Sequence, residues 1–231
     1  QAKIYFQVLE KFSNIAPQTP LSDIGLFPKE YTIFGKDGIN GKPIEKSISK
    51  GQGTLVSSPE PLNTLSIGRY AEALFGKDYQ QLPLAGAIAL ANGSFRFAPI
   101  TVLEQLSAGA SDTKTQDFAL DCCKNLGADK DFASLENGYD TILNESVWRR
   151  LGAEARVALR LVPLAVSNNH AIALIDVDVI RAIGIKVIPF LREYFSDRYV
   201  FIIIANDQKF VDMAPDTCMR IDHKSSTKFG N

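Results

Sequence analysis

The stretch AIALIDVD, residues 171–178, decides the fold: it is a continuous apolar run that ends on an acid. A run of this length bounded by polar residues reads as a strand buried on both faces, as in a parallel sheet. A second run of the same kind, YVFIIIA at 199–205, follows after a helical pattern from Val179 to Phe195. Strand, helix and strand in that order imply a right-handed crossover, and hence an α/β chain with a mostly parallel core. Pro189 falls inside the helical pattern, so a kink or a break into two helices is expected there.

Upstream, residues 31–56 are short alternating segments broken by Gly35, Gly38, Gly41, Pro43, Gly51 and Gly53. They read as antiparallel strands joined by tight turns, the last being Thr54 to Val56. An apolar stripe at helical spacing then runs through Leu65, Ile67, Ala71, Leu74 and Phe75 and stops at Gly76. After a short strand at 88–90, residues 101–165 are mostly helical in pattern, with Leu103, Leu106, Phe118, Leu120, Leu126 and Phe132 as expected core. Residues 218–221 are read as a final short strand. Ile4, Val8 and Leu9 mark a helix at 2–11, followed by a proline-containing loop. The chain thus divides into a leading helix and linker, 1–30, and a domain, 31–231, that contains the helical insert.

Composition narrows the function. The 231 residues carry a net charge of -1, with 45% hydrophobic and 22% charged residues, which is ordinary for a globular domain of this size. No lysine or arginine run gives an electrostatic footprint for nucleic acid or anionic lipid. The longest apolar run is far short of the roughly 20 residues a helix needs to cross a bilayer. Cys122, Cys123 and Cys218 lack nearby residues at metal-ligand spacing and are read as reduced, packed thiols. His170 and His223 read as surface or turn residues, and no serine sits in a nucleophile-elbow pattern. The chain begins at Gln1 with no signal-peptide pattern, so it is expected to be a piece of a longer protein.

Three segments carry a resemblance when taken in order: VSSPEPLNTLS at 56–66, WRRLGAEARVALRL at 148–161, and AIALIDVD. Their order and spacing are similar to those of a phosphate loop, a signature helix and a magnesium strand, and LENGYDTILNE at 135–145 resembles the segment preceding such a signature. Over roughly 31–224 the chain therefore resembles the nucleotide-binding domain of an ATP-binding cassette exporter, of the type I secretion and multidrug kind. That resemblance implies a P-loop NTPase fold: a mostly parallel sheet, an N-terminal antiparallel β subdomain and a helical subdomain. It also implies a transmembrane domain, on the same or a partner chain, to which 1–30 would connect. A homodimer or a heterodimer with another cassette domain follows, at the cytoplasmic side of a membrane, and nucleic acid is not an expected partner.

The residues that would do the chemistry depart from the family pattern. In a working phosphate loop, glycines let successive N–H groups point at the phosphates and a lysine reaches the terminal ones. Here Ser57, Glu60 and Leu62 stand for the glycines and Asn63 for the lysine, with Thr64 kept as a magnesium-side hydroxyl. Pro59 and Pro61 each remove a donor, and Glu60 places a negative charge where phosphates would sit. Glu60 also suits the start of the following helix, where a carboxylate satisfies open N–H groups. Losing the lysine and several donors should cost ATP on the order of 5 kcal/mol, moving micromolar binding toward tens of millimolar.

Asp176 matches the aspartate that holds the metal's water shell, but Val177 replaces the glutamate that polarises the attacking water. Asp178 is read mainly as a helix cap ahead of Val179. Asn206 replaces the phosphate-sensing histidine, and neither Asn92 nor Gly93 is the coupling glutamine. Gly152, Ala153 and Glu154 replace the signature serine and glycines, so a second carboxylate would face a partner's phosphates. The expectation is a catalytically inactive pseudo-ATPase cassette, a structural or regulatory module with no cofactor and at most weak ATP and magnesium binding, coupling through residues 92–99.

Two other readings remain open at the level of sequence, besides a functional ATP-hydrolysing cassette. GKDGINGK, residues 35–42, has the residue types of a phosphate loop, yet its spacing is one residue off and Pro43 opposes a following helix. A glycine-rich hairpin turn accounts for it better. An unrelated α/β binding protein is the other, and strand order together with the helical insert separates it from a cassette.

Overall fold

The computed structural model describes residues 30–37, 43–51, 53–58, 62, 70, 88–93, 95, 98–167, 172–205 and 218–220. Its strands are β1 (Glu30–Asp37), β2 (Pro43–Ser49), β3 (Gly53–Ser58), β4 (Ile88–Ala91), β5 (Ile172–Asp176), β6 (Tyr199–Ala205) and β7 (Cys218–Arg220). They form one sheet in the order β2-β1-β7-β3-β6-β5-β4. From β7 through β3, β6 and β5 to β4 every neighbouring pair is parallel. The two apolar runs that suggested a parallel core are therefore adjacent strands, with Leu174 opposite Phe201.

Alternation along these strands sends side chains to two separate apolar layers. Leu55, Ala91, Ala173, Ile175, Ile202 and Ile204 belong to one layer, under the helices. Val56, Ile172, Leu174, Phe201 and Ile203 belong to the other, with Leu62 and Tyr70. Both faces are covered, which is why β5 and β6 read as continuous apolar runs rather than alternating.

Among the described residues between β4 and β5 lie five α-helices, α1 (Val102–Leu106), α2 (Thr113–Leu126), α3 (Asp129–Ala133), α4 (Glu145–Arg150) and α5 (Ala153–Val166), and a 3-10 turn at Gly138–Asp140. Local sequence starts each of the clearest ones. Thr101 and Glu104 form a reciprocal capping box on α1, Asp112 caps α2 and Asn144 caps α4. Gly127 ends α2 in the left-handed region at φ 76°. Of the expected core, Leu106, Leu126 and Phe132 are buried. Phe118 is 40% exposed instead, because the stripe of α2 runs through Ala119, Cys122, Cys123 and Leu126. Phe118 lies one residue off that face and meets Tyr194 edge-on at 5.6 Å.

After β5 come α6 (Val177–Ile180), a 3-10 turn at Gly184–Lys186 and α7 (Val187–Tyr194). The expected break is present, but Pro189 does not cause it. Pro189 is the third residue of α7, where its missing N–H would have had no intrahelical partner. The chain changes direction ahead of Gly184, which takes φ 57°.

β1 and β2 pair antiparallel, with Lys36 opposite Pro43. They continue the main sheet through β7 rather than closing a sheet of their own. Pro43 opens a strand and not a helix, and Gly35 to Asp37 end the preceding strand; residues 38–42 lie outside the described residues. The expected helix at 64–75 is described only at Tyr70, which is helical and buried. The expected helix at 2–11 and its linker lie outside the described residues. Among those described, no helix is long and apolar enough to cross a membrane.

Candidate functional site

In an open parallel sheet, ligands bind beyond the carboxyl ends of the strands. Of the candidate residues, Ser57 and Asp176 stand at that edge, near the ends of β3 and β5. Ser57 is a strand residue of β3, in register with Ile204. Leu62 is 4% exposed and packed in the apolar layer with Val56, Tyr70 and Phe201. A leucine at this position fills core volume. Glu60, Asn63, Thr64 and Asn206 lie outside the described residues.

Asp176, at the tip of β5, is 9% exposed. Its backbone is extended and its carboxylate caps α6, accepting the Asp178 N–H at 2.9 Å. The Gly93 N–H donates to it as well. Burial pushes the Asp176 carboxyl above the ordinary aspartate range, the Asp178 charge pushes the same way, and the two N–H donors and Arg181 pull against them. The cap is thus Asp176 and not Asp178, which is exposed and pairs with Arg181 at 3.1 Å. Val177 is 2% exposed, the first residue of α6, with its side chain in the core. Beside the Asp176 carboxylate there is a buried isopropyl group. Among the described residues no group of three histidines, cysteines or acids could hold a metal.

Sequence reasoning missed the residues that surround this acid. Arg160, on α5, donates from Nη2 to the Gly93 carbonyl at 2.8 Å. Its guanidinium lies 5.0 Å from the Trp148 ring centroid and 6.0 Å from that of Phe95. The two rings stack at 4.5 Å with planes 9° apart. Burial lowers the Arg160 pKa, and Asp176 opposes that shift. Arg156, one turn earlier, donates from Nε to the Trp148 carbonyl at 3.1 Å. The available signal was a lone tryptophan and an arginine set into the apolar helix ALRLV at 158–162.

Of the residues expected to match a signature motif, Gly152 is the one ahead of α5 and offers no side chain as a cap. Its N–H donates instead to Asp131 Oδ2 at 3.0 Å. Ala153 begins the helix and Glu154 places a further carboxylate in the first turn. A helix N-terminus is a natural anion site, and here the chain's own carboxylates occupy the surroundings. The other end of α5 is also closed: buried Arg198 donates to the carbonyls of Leu164 and Ala165. Cys122 and Cys123 are free and buried in α2.

No protein-family model matches the chain, and no curated protein matches it. Among solved structures the chain is similar to a bacterial Atm1-family ABC exporter with ATP bound, with a TM-score of 0.57 and 16% sequence identity. The match covers 94% of this chain and 42% of the exporter chain. At this identity the likeness is one of fold: α/β, with a parallel sheet and helices arranged as in part of an ABC exporter. The protein spans less than half the length of that exporter.

Proposed function

We propose that the chain is a degenerate P-loop NTPase cassette domain, a pseudo-ATPase that serves an ABC exporter-like membrane protein as a structural or regulatory module. One observation carries the reading. Asp176 is turned to the N–H groups of Asp178 and Gly93 as the cap of α6, and the next residue, Val177, is buried and apolar. An acid held by two N–H donors has fewer acceptor sites left for magnesium's water, and valine offers no base for water attack. Asp131 on Gly152 supports the same conclusion from the signature side, since a fixed carboxylate repels a phosphate. The partners of this module are a transmembrane domain of the same or another chain and, in a homodimer or heterodimer, a second cassette domain. It works at the cytoplasmic face without a bound cofactor.

Calorimetric titration of the purified chain with Mg-ATP tests the proposal. No heat from binding tighter than about 100 µM is expected, a threshold well above the weakened affinity that the lost donors imply. Tighter binding, or ATP turnover lost on Asp176→Asn, would overturn it.

A further inference from the structure

We propose that Phe95, Trp148 and Arg160 form a latch that fixes the helical insert to the segment after β4, independently of any nucleotide. The latch spans three pieces of chain. Phe95 follows β4, Trp148 belongs to α4 and Arg160 to α5. The Arg160 guanidinium is held in its plane by the Gly93 carbonyl and sits over both stacked rings. Arg156 fastens the back of the same tryptophan, over its ring at 5.6 Å and on its carbonyl.

A planar cation suits this place for three reasons. It pairs with a backbone carbonyl, it lies over aromatic faces, and its charge offsets the buried Asp176 carboxylate. A lysine would keep the charge but lose the fork and the stacking. The insert and the sheet edge are therefore joined through side chains of this protein, and α4, α5 and the segment from Gly93 to Phe95 move as one body. This holds whether or not the domain binds ATP, so the two proposals fail separately.

Trp148 is the only tryptophan of the chain, which makes it a direct reporter of the latch. The test measures acrylamide quenching of its fluorescence and native-state hydrogen exchange in the whole chain, for Phe95→Leu, Arg160→Lys and the conservative Phe95→Tyr. For Phe95→Leu and Arg160→Lys, quenching should rise about twofold and α4 amides should exchange about tenfold faster, with β5 and β6 amides unchanged. Phe95→Tyr keeps the ring and should behave as wild type. Wild-type quenching in both disruptive variants overturns the latch. So does exchange that accelerates equally in α4, β5 and β6, because the residues would then support only global stability. If Phe95→Leu does not fold, Arg160→Lys against Phe95→Tyr decides by the same readouts.

Discussion

Asp131 Oδ2 accepts the Gly152 N–H at 3.0 Å across 21 residues of chain. Through that bond a carboxylate from α3 closes the N-terminus of α5, a helix that runs from Ala153 to Val166 under the sheet. A Cβ at Gly152 would run into the Asp131 carboxylate.

Asp131→Ala should lower stability by about 1 kcal/mol, the usual worth of a helix cap. Gly152→Ala should cost a similar amount, because the carboxylate must swing away and the same bond is lost. The double variant should then be little worse than either single one. Urea midpoints of the three variants check this, and full additivity would show that the two residues act separately.

The buried Asp176 carboxyl gives stability a defined dependence on pH. Its folded pKa is raised, so the folded state holds the proton more tightly than the unfolded chain does. Between the ordinary aspartate value, about 4, and the raised folded value, stability must fall as pH rises. Asparagine carries no charge, and its single carbonyl oxygen keeps the Asp178 N–H while giving up the Gly93 N–H. Asp176→Asn should therefore lose the part of the pH dependence that this carboxyl supplies, its melting temperature falling less than that of wild type from acid to neutral pH. An equal fall in both proteins would contradict this.

The paired thiols of α2 should be chemically silent in the folded state. Burial pushes Cys122 up to about 12, and it raises Cys123 too, with the neighbouring thiol adding to the effect. Thiolate is the reactive form, so little is present at neutral pH. In a Cys218→Ser background, a disulfide-exchange reagent should label neither cysteine natively and both in denaturant. Labelling of the native protein at a rate near that of a free thiol would be the contrary result.

Arg198 is 1% exposed and closes the C-terminal carbonyls of α5 from the start of β6. Replacing it with methionine keeps much of the volume but strands those carbonyls. The expected loss is roughly 2–4 kcal/mol, with Arg198→Lys intermediate because one ammonium cannot reproduce the fork. Denaturant unfolding of both variants gives the comparison, and equal stability of Met and wild type would refute the role.

The sheet was legible in the sequence because Ile172–Asp176 and Tyr199–Ala205 are apolar at every position that two covered faces demand. The helical insert was legible from the helical pattern of 101–165 and its apolar residues, though its caps were not. Finer assignments depended on geometry that residue type does not carry. Asp176 and Asp178 both stand at the start of a helix, and only the extended backbone at Asp176, φ -68° and ψ 132°, makes it the cap. Pro189 looked like a breaker, but its position in the first turn of α7 makes it harmless. The latch joins residues 67 apart, Gly93 and Arg160, and no local pattern could bring them together.

The three-residue strand β7 carries a mechanical consequence. Among the described residues, the β1–β2 hairpin meets the rest of the sheet only there, through Lys36 opposite Arg220 and Asp37 opposite Met219. The hairpin itself is stitched along seven opposed pairs, and β3 is bound to β6 along six. Tension applied across the sheet would therefore tear along β7 first, peeling the hairpin away whole while the parallel strands stayed zipped.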